Sequence, residues 1–256
     1  LTGTQVTAQT IGLNSAALDV GGGSAAKRNT VTLNGGGLTS AQGIGITVDG
    51  FSDISLSNMN VSGFSGLATA GTLADATLSL SQVNAYGDVS VLSGGTLAMT
   101  LDNGSYMRGM INGASVTLTD IASTWDITGD SAVNGLKNSG SLRFTDPGNV
   151  TFSGRTLTVN GDYVGNNGTL TLYSQLGDDA SATDRMVVTG NTLGHTYLGI
   201  NNAGGLGGET VDGIRVISIG GQSDGQFNLN GRVGYGGYEY FLYQGDRSGN
   251  GGDWYL

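Results

Sequence analysis

Short runs of alternating apolar and polar residues recur along the first half of the chain. "ISLSNM" begins at Ile54, "LSLSQV" at Leu78 and "VTLTDI" at Val116, each reading apolar, Ser/Thr, Leu, Ser/Thr, polar, apolar. A period of two predicts a strand with one buried face. Looser copies are "LAMTLD" from Leu97, "VTLN" from Val31 and "LTLY" from Leu170. Starts at 31, 54, 78, 97 and 116 are separated by 23, 24, 19 and 19 residues, the recurrence of a solenoid. A unit this short cannot bury its apolar face alone, so successive units must stack. Glycine and asparagine in "NGGG" (34–37) and "SGG" (93–95) are suited to the corners, because both tolerate the left-handed backbone that tight corners need. The expected architecture is a parallel β-helix of about ten to twelve rungs stacked about 4.8 Å apart.

Composition removes the helical alternative. Only two acids are Glu (Glu209, Glu239) and only two bases are Lys (Lys27, Lys137), while Gly reaches 48 of 256 residues. Helical solvent faces lean on Glu, Lys and Ala; Asp, Asn, Gly, Ser and Thr favour turns and strands. A leucine-rich type of solenoid, with helical crossovers, therefore lacks its helix formers. A single proline (Pro147) and no Gly-X-Y period exclude collagen, and 38% hydrophobic residues exclude wholesale disorder. The formal charge of −10 argues against nucleic acid and anionic membrane as partners. The absence of cysteine removes disulfides, thiolate metal sites and cysteine nucleophiles together. No apolar run reaches the ~20 residues of a membrane-spanning helix. A first residue of Leu1 suggests a mature product or excised fragment.

From about residue 190 the pattern changes. Glycine clusters such as "NNAGGLGG" (201–208) separate "GIRVISIG" (213–220) from "YEYFLYQG" (238–245), and six of the ten tyrosines fall between Tyr197 and Tyr255. This segment reads as a well-packed, aromatic-rich cap with a hairpin or sandwich element. A cap is what the open edge of a solenoid requires.

Five phrases then follow in order: "STWDITGDSAVNGLKNSG" (123–140), "LTVNGDYVGNNGTLTL" (157–172), "LGDDASATDRMVVTG" (176–190), "INNAGGLGGETVDGIRVISIGG" (200–221) and "YEYFLYQGDRSGNGGDWYL" (238–256). Together they resemble the C-terminal passenger region of type V autotransporters of the pertactin-like, self-associating adhesin kind. The resemblance implies an all-β fold, a right-handed parallel β-helix with an aromatic-rich C-terminal autochaperone cap. It implies rungs over residues 1–149 and an autochaperone over 150–256 that folds first and templates the other rungs. Within that segment Tyr238, Tyr240, Tyr243 and Trp254, together with Asp184 and Arg185, are the residues expected to serve folding. It also implies surface exposure or secretion from a Gram-negative bacterium through the periplasm and an outer-membrane β-barrel lying beyond Leu256. The barrel is then one partner. A host-cell receptor or glycan, or an identical passenger, is the other. The alternatives are a non-catalytic spine whose protease domain lies upstream, or a glycan-active β-helix enzyme.

Candidate chemistry is thin. "GDSA" (129–132) resembles a serine-nucleophile motif, but the only histidine is His195, in "LGHTYLGI", where a packed or surface role is expected. "VGGGSAAKRNT" (20–30) has no Gly before Lys27 and has Arg28 where a phosphate loop needs Ser or Thr. Asp178, Asp179 and Asp184 lack the spacing of a calcium loop, and "GGLGGETVD" (204–212) stands alone. Asp120, Asp126 and Asp130 suggest paired carboxylates of a glycan-active enzyme, although no basic residue lies nearby in sequence. No catalytic residue, metal or cofactor is therefore expected. Asp184 and Arg185 are expected to bridge locally at a solvated corner, worth about 1 kcal/mol or less.

Overall fold

A computed structural model describes residues 3, 5–8, 15–148, 151–249 and 251–256. The boundary expected between 149 and 150 falls on residues outside these. Every regular element among the described residues is a β-strand. The chain divides into two compact units: one holds residues 1–126 with 132–134, the other 127–131 with 135–256.

In the first unit the apolar columns follow directly from the alternation. Val31, Ile54, Leu78, Met99 and Val116 stack in parallel register, and Leu33, Leu56, Leu80, Leu101 and Leu118 form a second column two residues on. From Ile54 to Leu118 all eight of these later side chains are buried. The Ser and Thr between them face outward, as the pleat requires. Two register corrections emerge. The copy drawn from Leu97 is two residues out of phase, since Met99, not Leu97, lies on Leu78. "LTLY" belongs to a different ladder, where Leu170 stacks between Leu142 and Leu198.

Corners explain the polar fifth position of each copy. Asn58, Gln82 and Asn103 have φ of 53°, 56° and 53°, and each turns the chain by a single left-handed residue. The side chains couple coil to coil: Asn58 Nδ2 donates to Asn34 Oδ1 at 2.9 Å, and Asn103 Nδ2 to Ser81 Oγ at 2.8 Å. The third copy breaks this rule. Asp120 accepts from the backbone N–H of Ala122 and Ser123, forming a tight turn that throws Ile121 out to 83% exposure. The apolar sixth position of "VTLTDI" is thus a loop tip.

The second unit has longer coils. Leu142, Leu170 and Leu198 stack 28 residues apart, and Leu198 lies on Leu229. Longer coils leave about eight among the described residues instead of ten to twelve. Leu157, Met186 and Ile217 form the opposite ladder. On its far side Arg215–Ile219 pairs antiparallel with Trp254–Tyr255, which in turn pairs antiparallel with Tyr243–Gln244. The switch from parallel to antiparallel closes an edge that would otherwise accept another rung.

Candidate functional site

The cap is built from two clusters. The first centres on Asp184, whose carboxylate is fully buried. It accepts from Arg155 N and Nε at 2.9 Å each, from Arg155 Nη2 at 2.8 Å and from Tyr173 N at 3.0 Å. The guanidinium is held further by Thr145, donating to its carbonyl at 2.7 Å and its hydroxyl at 3.1 Å, and it lies over the Phe144 ring at 5.2 Å. The expected local bridge to Arg185 is therefore corrected. Asp184 pairs across 29 residues with Arg155, while Arg185 offers its backbone N–H to Arg155 O at 2.9 Å. Alternation along "DRMVV" turns Met186 and Val188 inward, and Asp184 shares their side; only a buried cation and N–H donors make that tolerable.

The second cluster is aromatic. Trp254 packs edge-on against Phe227 at 5.3 Å, and Phe227 stacks on Tyr163 at 6.0 Å. All three are buried, and the Tyr163 hydroxyl shares a hydrogen bond with Thr196 Oγ1 at 2.8 Å. Tyr240 is buried too: its hydroxyl accepts from Gly208 N at 2.9 Å and faces the carbonyls of Gly177 and Gly208 at 3.0 and 2.9 Å. Tyr238 and Tyr243, by contrast, are about half exposed. The cap is thus packed around Tyr163, Phe227 and Trp254, and the tyrosine run at 235–243 contributes one core ring. Sequence reasoning missed Arg155, Tyr163 and Phe227. Tyr163, which lies on Leu136, and Phe227, which lies on Thr196 two residues before Leu229, carried a usable signal in their inward phase, but Arg155 carried none.

Residues 131–242, which contain both Arg155–Asp184 and Phe227, match the family model for Autochaperone Domain Type 1. Relatives include the Uncharacterized protein YuaQ of Escherichia coli, 39% identical over 61% of this chain and 11% of its own length. The Adhesin BmaC autotransporter of Brucella suis is 37% identical over 66% of this chain and 5% of its own. Autotransporter adhesin AIDA-I of Escherichia coli is 45% identical over 41% of this chain and 8% of its own. The chain is an autotransporter passenger region. It spans about a tenth or less of these relatives' lengths. As such it is a cell-surface or extracellular segment of a Gram-negative bacterium.

Elsewhere on the passenger the candidate motifs are occupied by structural bonds. The Ser131 hydroxyl of "GDSA" is buried and donates to Gly129 O at 3.2 Å. His195 shares a 2.7 Å hydrogen bond with Asn228 and stands edge-on to Tyr197. Arg28 is pinned by Asp53 and Asp75 at 2.9 Å each, which leaves an acidic network where a phosphate loop would be cationic. Asp130 accepts from Thr156 N at 2.7 Å. Asp126 corrects one expectation, because a basic residue does lie near: Arg108, its neighbour on the adjacent strand, approaches to 3.8 Å. The Tyr106 hydroxyl donates to the same carboxylate at 2.7 Å. Burial, and then this bond, raise the phenol above its ordinary range, which makes it a donor and not a base. Among the described residues no three His, Cys, Asp or Glu side chains converge to hold a metal.

Asp179 is a loop anchor. Its carboxylate accepts from the backbone N–H of Val211, Asp212 and Gly213 at 2.8–3.0 Å. These bonds, Asp212 foremost, hold its pKa below the usual carboxylate value against a smaller opposing push from desolvation. A depressed folded-state pKa contributes stability that is complete above the ordinary carboxylate value and is lost as pH falls through and below it. Asp179→Asn should therefore be less stable than the parent near neutrality, and the gap should close as pH falls from neutrality through and below the ordinary carboxylate range. Urea midpoints across that range test it, and a gap independent of pH refutes the assignment.

Proposed function

We propose that this passenger region is the stalk of a surface adhesin, with no catalytic role, and that its cap promotes folding and secretion. The observation that carries the reading is the coincidence of the autochaperone match at 131–242 with the buried Arg155–Asp184 and Tyr163–Phe227–Trp254 clusters. An end that carries a buried ion pair and a packed aromatic cluster suits a folding nucleus, onto whose edge later coils add. Adhesin names among the relatives support attachment to a host-cell receptor or glycan, or to an identical passenger. The outward Ser, Thr, Asn and Asp ladders suit many weak contacts strengthened by multivalency. Export runs through the periplasm, with an outer-membrane β-barrel as the partner in secretion.

The test is display of the passenger on a heterologous Gram-negative host, intact and without residues 150–256. Intact passenger should raise host-cell binding or aggregation over bare cells. The shortened one should reach the surface in a protease-sensitive form or not at all. Normal folding and display without 150–256 would dismiss the autochaperone role.

A further inference from the structure

We infer that the cavity walled by residues 208–213 and 238–249 is a pocket for a neutral saccharide, which would give the adhesin reading, on which this rests, a ligand class and a place. The cavity measures about 580 Å³, inside the range of about 300–1,000 Å³ usual for small-molecule sites. Tyr240 lines it and is fixed by its hydroxyl to the 177 and 208 backbone, so one wall is rigid. Around it stand three rings that the fold does not use: Tyr238, Phe241 and Tyr243 are 47%, 55% and 62% exposed. Large rings are ordinarily placed where their area is buried, and several exposed in one concavity mark a binding surface.

The polar complement decides the ligand. Glu209, Asp212, Gln244 and Arg247 line the same cavity and are exposed. A pyranose ring offers a face of C–H bonds to aromatic rings and a rim of hydroxyls to carboxylate, amide and guanidinium groups, which matches both halves of this lining. A purely apolar peptide would leave Glu209 and Asp212 desolvated without partners. Phosphorylated or sialylated ligands meet four lining carboxylates, Glu209, Asp212, Glu239 and Asp246, against one arginine, on a chain whose formal charge is −10. A divalent cation would need a cluster of carboxylates, and none occurs among the described residues.

The experiment titrates the 256-residue chain with lactose, maltose, diacetylchitobiose and sialyllactose, followed by saturation-transfer NMR and calorimetry. At least one neutral sugar should bind with a Kd on the order of 1 mM or tighter, and sialyllactose no better than lactose. Tyr243→Ala and Phe241→Ala should each weaken that binding about tenfold with an unchanged thermal midpoint. Tyr197→Ala, outside the cavity, should bind as the parent does. Absence of binding to all three neutral sugars, a preference for sialyllactose, or parental affinity in both ring variants would overturn the inference. Displayed on cells, a passenger that adheres equally well with and without Tyr243→Ala and Phe241→Ala keeps the adhesin reading and loses the pocket. One that binds sugar but never adheres loses the adhesin reading instead.

Discussion

Asp184→Ala should destabilise the second unit by about 3–5 kcal/mol, the usual cost of stripping one partner from a buried ion pair. Four donors lose their acceptor together: Arg155 N, Nε and Nη2, and Tyr173 N. The guanidinium, 18% exposed, is left with the Thr145 oxygens and the Phe144 ring. Asp184→Asn should fall between the parent and Asp184→Ala, because an amide oxygen serves some of these donors without the charge. Arg155→Met combined with Asp184→Leu should recover part of the loss, since removing both charges avoids the orphaned one. It should not recover all of it, because the backbone N–H of Arg155 and Tyr173 would each remain unsatisfied at about 1–3 kcal/mol. Hydrogen exchange should report the damage on amides of strands Tyr163–Ser174 and Arg185–Val188, where the carboxylate sits. If Asp184→Ala shifts the urea midpoint no more than a surface substitution does, the clamp is not a stabilising element.

This residue also marks the limit of what the sequence makes legible. Period-two alternation specified the apolar columns of the first unit, because one face must be buried and a one-residue slip would expose it. Asparagine was legible in kind as a corner residue, but the single left-handed corners at Asn58, Gln82 and Asn103 emerged only with the fold. Sequence could not specify which copies stay in phase. The coil through Met99 shifted by two residues, and Ile121 went to a loop tip because Asp120 made its own turn. Such local side chain to backbone bonds compete with the strand pattern and leave no trace in hydrophobicity.

The cap was legible as a region and not as a list of residues. Family phrases located it, and the aromatic run pointed to Tyr238, Tyr240, Tyr243 and Trp254. The fold buries Tyr240 and Trp254, while Tyr238 and Tyr243 stay exposed around a cavity. Adjacent charges at Asp184 and Arg185 suggested a local bridge, whereas the real partner is 29 residues away. A solenoid brings together residues one coil apart, about 20–30 positions in sequence, and charge pairs at that distance cannot be told from chance in one sequence. A one-coil separation of 18 residues likewise hid Arg108 from Asp126.

Trp254→Ala tests the cap from its other side and should cost about 3–5 kcal/mol, as truncation of a buried aromatic generally does. Trp254 fills the space beside Phe227, and its strand is the antiparallel partner of both Arg215–Ile219 and Tyr243–Gln244. Its indole Nε1 is buried without a hydrogen-bond partner among the described residues, so Trp254→Phe removes no such bond and should cost no more than about 1.5 kcal/mol. Tyr243→Ala, at an exposed ring, should stay within about 0.5 kcal/mol of the parent. In a stacked array a lesion at one end is felt first by its neighbours. Exchange should therefore quicken in Arg215–Ile219 before Arg185–Val188 and Thr156–Val159, in that order along the ladder. If the cap nucleates folding at the cell surface, folded passenger displayed there should fall in the order parent, Trp254→Phe, Trp254→Ala, with Tyr243→Ala beside the parent. Equal display of Trp254→Ala and the parent, with the stability loss confirmed in vitro, would mean that this end stabilises the finished solenoid without guiding its assembly.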